Sequence, residues 1–285
     1  MLSSSIHGRG PKHPRSPSKH RRSRSRSPRS ASFPNLQTRS DKKKTQPKIF
    51  IAVFRGKDTE GDCDDEYENV LIKYFIQEIF YEYGIDKVNI ESKCMSPPKS
   101  NQKQWASYTP ANDEVTNDTH RADKYIEELE THASKYMQWV HDKVASGWIG
   151  VVVGISNGSI PASHLAMLYP DNIPVLTLVS TVPTPDQVIE LKKLYEKQRV
   201  IMSICYQETF FGGHMGLRKV SEEINSDVLC ANGRHCKETP FDMLMIGRLT
   251  AHKLGGSNQI KDHFKHWKTP VNTWRTWKEW KETTA

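Results

Sequence analysis

The strongest case for chemistry in this sequence is Ser156, in the turn Gly154-Ile155-Ser156-Asn157-Gly158. The turn follows the apolar run 148–153 directly and precedes a segment that predicts a helix. A nucleophilic serine needs this strand-turn-helix context, because the tight turn leaves no room for Cβ atoms at the two glycine positions. The amino terminus of the following helix would stabilise negative charge that develops beside the serine. The turn therefore predicts acyl transfer to Ser156.

Two other interpretations of this turn stay open. Ser156 or Ser159 could serve only as the helix cap, or the turn could hold a phosphate, since helix amino termini bind anions. Neither a Gly-x-Gly-x-x-Gly pattern nor a Walker-type lysine accompanies it. We therefore favour the nucleophile.

A nucleophilic serine needs a base. His214, in Gly212-Gly213-His214, follows the last predicted strand, which would place it at the same sheet edge as Ser156. His214 is therefore the predicted base.

The base in turn needs an acid that orients it. Asp186 follows the penultimate predicted strand, and the order Ser156, Asp186, His214 is the one expected for a triad on this kind of sheet. Thr184-Pro185-Asp186-Gln187 is equally a capping box, which explains Asp186 without catalysis. Glu208 is the alternative acid.

The oxyanion of an acyl-transfer intermediate needs backbone N–H donors. One donor would come from Asn157, the residue after the nucleophile. The other would come from the loop after the first strand, at Gly56 or Lys57.

Apolar runs and helical segments alternate along the chain and predict the fold. Continuous apolar runs indicate strands buried on both faces, which is typical of a parallel sheet between helices. We expect a three-layer α/β sandwich with a mostly parallel sheet, its strands at residues 49–54, 88–90, 148–153, 174–179 and 200–206.

The basic charge of the chain lies in residues 1–47. This segment carries 13 Lys and Arg against one acid, Asp41, whereas the rest of the chain is mildly acidic. Its low-complexity composition predicts disorder. The repeats at 22–30 resemble the Arg-Ser repeats of splicing-type proteins; a weak nucleic-acid contact and a transit peptide remain alternatives.

The five cysteines are an odd, scattered set, and the amino terminus lacks the apolar stretch of a secretory signal. No apolar run reaches the roughly 20 residues that span a bilayer. We expect reduced thiols and an intracellular protein, nuclear or cytoplasmic.

Three motifs together resemble the α/β-hydrolase superfamily, in particular its small serine hydrolases and carboxylesterase- or thioesterase-like members. They are Phe54-Arg55-Gly56, the turn 154–158 and Gly212-Gly213-His214. The resemblance covers residues 48–225 and implies hydrolysis of a small ester or thioester without a cofactor or metal. The chain departs from the family in having Arg55-Gly56 where His-Gly is usual.

The predicted organisation is a tail at 1–47, a hydrolase-like domain at 48–228 and a helical extension at 229–285 with a Trp-rich basic end. A zinc site at Cys230, His235, Cys236 and His252 is disfavoured, because the Cys-x5-Cys spacing is wrong for a zinc knuckle.

Two functions compete with hydrolysis. One is a non-catalytic α/β scaffold that associates with RNA or a protein partner through the basic tail. The other is a nucleotide-binding doubly wound domain with residues 154–159 at a phosphate.

Overall fold

The computed structural model describes residues 46–60, 66–106, 126–209, 213–231, 233–257 and 260. Most of the predicted tail, Gly212 and the Trp-rich end at 267–280 lie outside these ranges.

Six parallel strands form one sheet within the described residues, in the order β2-β1-β3-β4-β5-β6. The parallel sheet between helices confirms the predicted three-layer α/β class. The strands are β1 (Ile49–Phe54), β2 (Ile90–Met95), β3 (Ile149–Ile155), β4 (Val175–Val179), β5 (Arg199–Cys205) and β6 (Asp227–Ala231).

Alternate side chains of each strand point to opposite faces of the sheet and bury in two apolar clusters. In β1, Phe50, Ala52 and Phe54 join one cluster, and Ile49, Ile51 and Val53 join the other. Four helices cover the first face, namely α2 (Ser134–Ala145), α3 (Ser159–Leu168), α4 (Pro185–Lys193) and α5 (Gly213–Glu223). Two cover the second, namely α1 (Glu66–Tyr83) and α6 (Pro240–Gly255). Across the described ranges, no helix is both long and apolar enough to cross a membrane.

The two edge strands differ from the prediction. The second strand runs from Ile90 to Met95 rather than over 88–90, and β6 was not predicted. Both are only partly buried, so β2 lacks a continuous apolar run and that of β6 is shorter than the runs of the central strands. Strand β6 crosses position 228, where the hydrolase-like domain was predicted to end.

The cysteines do not share one state. Cys205, Cys230 and Cys236 are free thiols, whereas Cys94 is disulfide-bonded. The expectation that all five cysteines are reduced is therefore wrong for Cys94, because spacing along the chain does not reveal which thiols the fold brings together.

Candidate active site

Ser156 lies at the carboxyl end of β3, in a backbone conformation that side chains rarely adopt. Its φ is +50°, in the left-handed region that costs free energy for any residue with a Cβ. A short 3-10 turn, Ser156–Gly158, connects β3 to α3, which begins at Ser159. The strained turn directs the Ser156 hydroxyl away from β3 and places it at the amino terminus of α3.

The two glycines of the turn are required by close backbone contacts. A Cβ added at Gly154 would lie 2.5 Å from Cα of Ser159, and one at Gly158 would lie 2.1 Å from the carbonyl oxygen of Phe54. Both distances are far below van der Waals contact and involve backbone atoms that cannot rotate away. The glycines therefore allow α3 and the end of β1 to pack directly against the turn.

The Ser156 hydroxyl is hydrogen-bonded to an imidazole, that of His235. Ser156 Oγ and His235 Nε2 are 3.0 Å apart, and His235 Nδ1 lies 2.9 Å from Oε2 of Glu208. A carboxylate only accepts hydrogen bonds, so the proton of the neutral ring is assigned to Nδ1. Nε2 is then free to accept the serine proton, which is the arrangement that general-base activation requires.

Backbone pairing beyond the ends of β5 and β6 brings Glu208 and His235 together. Tyr206 N–H donates to the Ala231 carbonyl and Gln207 N–H to the Gly233 carbonyl, both at 2.9 Å. This pairing extends the parallel ladder into the loops and sets Glu208 beside His235.

The side chains of Glu208 and His235 differ in their exposure to solvent. Thr209 N–H donates to Oε1 of Glu208 at 2.9 Å, so both carboxylate oxygens accept hydrogen bonds. The Glu208 side chain is 0% exposed and that of His235 is 19% exposed. The carboxylate of Glu208 is thus shielded from water, while the imidazole of His235 remains reachable from solvent.

In the structure, the histidine within hydrogen-bond distance of Ser156 is His235 rather than the predicted base, and the carboxylate beside it is not the first-choice acid. His214 lies at the start of α5, where its ring stacks at a tilt on Tyr206 with the centroids 5.7 Å apart. Asp186 is exposed in the first turn of α4, next to the Thr184–Gln187 capping box that the sequence allowed as its alternative explanation. Of the two predicted acids, Glu208 is the one that meets a histidine, but that histidine is His235.

The sequence contained one signal that could have identified His235. Val228-Leu229-Cys230-Ala231 is a short apolar run, and it forms most of β6. A histidine four residues after the last strand stands at the same sheet edge as Ser156. The predicted domain boundary at 228 divided this run and hid the strand.

The loop after β1 passes beside the serine, as the predicted oxyanion donors require. A Cβ added at Gly56 would lie 3.2 Å from Cβ of Ser156 and 3.9 Å from its Oγ. Lys57 follows with an exposed side chain, and Asn157 is the first residue of the turn beyond the serine. The geometry is compatible with the N–H groups of Asn157 and of Gly56 or Lys57 as donors.

Two free thiols lie near the triad, but neither competes as a nucleophile. Burial, together with the charge of Glu238, raises the pKa of Cys205 to about 12. The same two causes raise the pKa of the Cys236 thiol far above its usual range. The thiolate is the nucleophilic form of cysteine, so the raised pKa values disfavour both side chains as nucleophiles near neutral pH.

A comparison with models of known protein families finds no match, and no curated protein matches the chain. Solved structures do match. SOBER1 from Arabidopsis thaliana superposes with a TM-score of 0.51 at 12% identity, over 72% of this chain and 99% of that one. Acyl-protein thioesterase 2 from Zea mays gives a TM-score of 0.49 at 13% identity, over 74% and 96% of the two chains. At these identities the likeness shows the fold alone. The chain has the α/β-hydrolase fold, which confirms the fold that its motifs predicted.

Proposed function

We propose that this protein is a serine hydrolase that cleaves an ester or thioester by acyl transfer to Ser156. The observation that carries the proposal is the continuous hydrogen-bond chain from Ser156 through His235 to the buried Glu208. The proposed nucleophile, acid and base all lie at one edge of the sheet. Along the sequence they follow one another as Ser, acid and His, which is the order found in α/β hydrolases.

The reaction proceeds in two acyl transfers. Ser156 Oγ attacks the carbonyl carbon of the substrate while His235 Nε2 takes the hydroxyl proton. The tetrahedral intermediate then expels the alcohol or thiol, which receives that proton from His235, and leaves an acyl group on Ser156. Water attacks the acyl-enzyme with His235 again as the base, which releases the carboxylic acid and restores the serine.

Glu208 acts through His235 rather than on the substrate. Its carboxylate accepts the Nδ1 proton, which holds the ring in the tautomer that leaves Nε2 unprotonated, and it stabilises the imidazolium that forms during each transfer. The hydrogen bond from the Thr209 amide and the complete burial of the Glu208 side chain restrain the carboxylate. The N–H groups of Asn157 and of Gly56 or Lys57 stabilise the oxyanion.

The same turn is less well suited to a nucleotide. The site does lie between β1 and β3, the point where the strand order reverses and where doubly wound folds bind ligands. However, the buried carboxylate of Glu208 is connected to Ser156 by two hydrogen bonds through the imidazole of His235. That negative charge would oppose a phosphate at the turn, whereas it favours a base.

A fluorophosphonate probe tests the proposed function directly. The probe phosphonylates an activated serine, so we expect one covalent adduct per chain, located by mass spectrometry in the peptide that contains Ser156. Heat-unfolded protein is the control, because labelling depends on the assembled triad. Folded protein that stays unlabelled would refute the proposal.

The substitution Glu208→Gln should lower the turnover of p-nitrophenyl acetate by about 10⁴-fold, since an amide facing Nδ1 favours the wrong histidine tautomer. Initial rates with purified protein measure the effect. Asp186→Asn is the matched control on an exposed carboxylate at the same sheet edge, and it should retain activity within about two-fold. Equal loss in both variants would argue against Glu208 as the triad acid.

A further inference from the structure

Trp105 is a fully buried residue that contacts both loops flanking Ser156. Its indole Nε1–H donates to the carbonyl oxygen of Arg55 at 2.7 Å, within the loop after β1. Its backbone N–H donates to Oδ1 of Asn157 at 2.7 Å, within the turn after Ser156. Asn157 returns a hydrogen bond from Nδ2 to the Ala106 carbonyl at 3.1 Å. Trp105 thus joins the two segments that offer the oxyanion donors.

The bond to the Arg55 carbonyl has a consequence for the neighbouring amide. The peptide between Arg55 and Gly56 is trans, so the Arg55 carbonyl and the Gly56 N–H are rigidly coplanar and point in opposite directions. An indole that holds the carbonyl therefore also fixes the direction of the Gly56 N–H.

Arg55 itself is held from every side, which leaves this peptide little freedom. Its N–H donates to the Met95 carbonyl at 2.9 Å. Its guanidinium Nε pairs with Oε1 of Glu68 at 2.8 Å, and both residues are 4% exposed. The Trp105 ring is fixed in turn by edge contacts with the rings of Phe54 and Tyr136, at centroid distances of 5.3 and 5.4 Å.

We infer that Trp105 is a positioning residue that sets the second oxyanion donor, the N–H of Gly56, by locking the Arg55–Gly56 peptide plane. The inference rests on the proposed function. It selects Gly56 over Lys57, because the Gly56 amide belongs to the locked peptide and a Cβ added at Gly56 would lie 3.2 Å from Cβ of Ser156. It also explains why this chain manages without the usual His-Gly after β1, since the arginine is used to anchor the loop in the core.

The test replaces the indole by a ring without the N–H, in Trp105→Phe. With p-nitrophenyl acetate we expect kcat to fall by about 10- to 100-fold, less than the full loss of one oxyanion donor, and KM to change by less than about two-fold. An aryl trifluoromethyl ketone forms a tetrahedral adduct with an oxyanion, so its inhibition constant should weaken by the same factor as kcat. A merely structural role would lower the active fraction without changing that constant.

Two controls separate the possible results. Trp148→Phe removes another buried tryptophan, one that lies at the opposite end of β3, and should leave the inhibition constant unchanged. If Trp105→Phe does not fold, 3-benzothienylalanine at position 105 keeps the ring shape and removes only the N–H. Hydrogen exchange at the Gly56 amide should also become faster in either variant.

The outcomes distinguish this inference from the proposed function. If wild-type protein hydrolyses the ester and binds the ketone, but a folded Trp105 variant does both equally well, the inference is overturned and the hydrolase proposal stands. If wild-type protein neither reacts with the fluorophosphonate nor hydrolyses the ester, both are overturned.

Discussion

Replacement of Ser156 by alanine should lower the rate of p-nitrophenyl acetate hydrolysis by about 10⁶-fold, which corresponds to about 8 kcal/mol of transition-state stabilisation. The variant loses the atom that forms the acyl-enzyme, so neither transfer can take place. Any residual rate would come from the oxyanion donors and substrate binding alone, which in other serine hydrolases leave about 10³-fold catalysis over water. Initial rates and the absence of a covalent probe adduct measure the effect.

Ser163→Ala is the matched control for this prediction. Ser163 lies further along, inside α3, is fully buried, and its hydroxyl has no hydrogen-bond partner among the described residues. Its removal breaks no hydrogen bond among the described residues and should leave hydrolysis within about two-fold of the unmodified protein. Normal activity in Ser156→Ala would mean that hydrolysis takes place elsewhere on the chain.

Replacement of His235 by alanine should be nearly as damaging, with a loss of about 10⁶-fold in kcat, because nucleophile and base act as one unit. Without the imidazole, the hydroxyl of Ser156 loses the nitrogen that lies 3.0 Å away and is positioned to take its proton. A double variant with Ser156→Ala should show no further loss, since the two losses are not additive. Rates of the single and double variants at one pH provide the measurement.

His214→Ala provides the contrast, because His214 was the base predicted from the sequence. Its ring contacts Tyr206 on the surface rather than Ser156, so the variant should hydrolyse the ester at close to the normal rate. The reverse pattern, an active His235→Ala with an inactive His214→Ala, would contradict the triad proposed from the structure.

The central strands of the fold could be predicted because their pattern is local. Strands β1, β3, β4 and β5 bury both faces, so their residues form continuous apolar runs that stand out in any sequence. Strands β2 and β6 are the edges of the sheet and retain exposed positions. An edge strand is identified mainly by the neighbour it pairs with, and that neighbour is distant along the chain.

The close packing of the turn at Ser156 could be predicted from the sequence for the same reason. The chemistry of the turn depends on contacts among Gly154, Ser156, Gly158 and the helix that follows directly. Spacing within five residues is enough to predict which positions exclude a Cβ. In the structure, a Cβ at either glycine would clash with the backbone of Ser159 or Phe54.

The partners of Ser156 were decided by tertiary structure alone. His235 is 79 residues from the serine along the chain and 27 residues from Glu208. Which histidine reaches the serine depends on the pairing of Tyr206 with Ala231 and of Gln207 with Gly233 at the edge of the sheet. These are backbone hydrogen bonds at and beyond the ends of β5 and β6, and side-chain types do not encode them.

The sequence by itself thus determined the parallel α/β architecture and the tight turn at Ser156, the proposed nucleophile. Only the fold decided which histidine, which carboxylate and which indole lie around that turn. The physical reason is how far apart along the sequence the contacting residues lie. A turn is specified by van der Waals contacts between neighbouring residues. The proposed triad depends instead on the register of strands whose loops converge at one edge of the sheet.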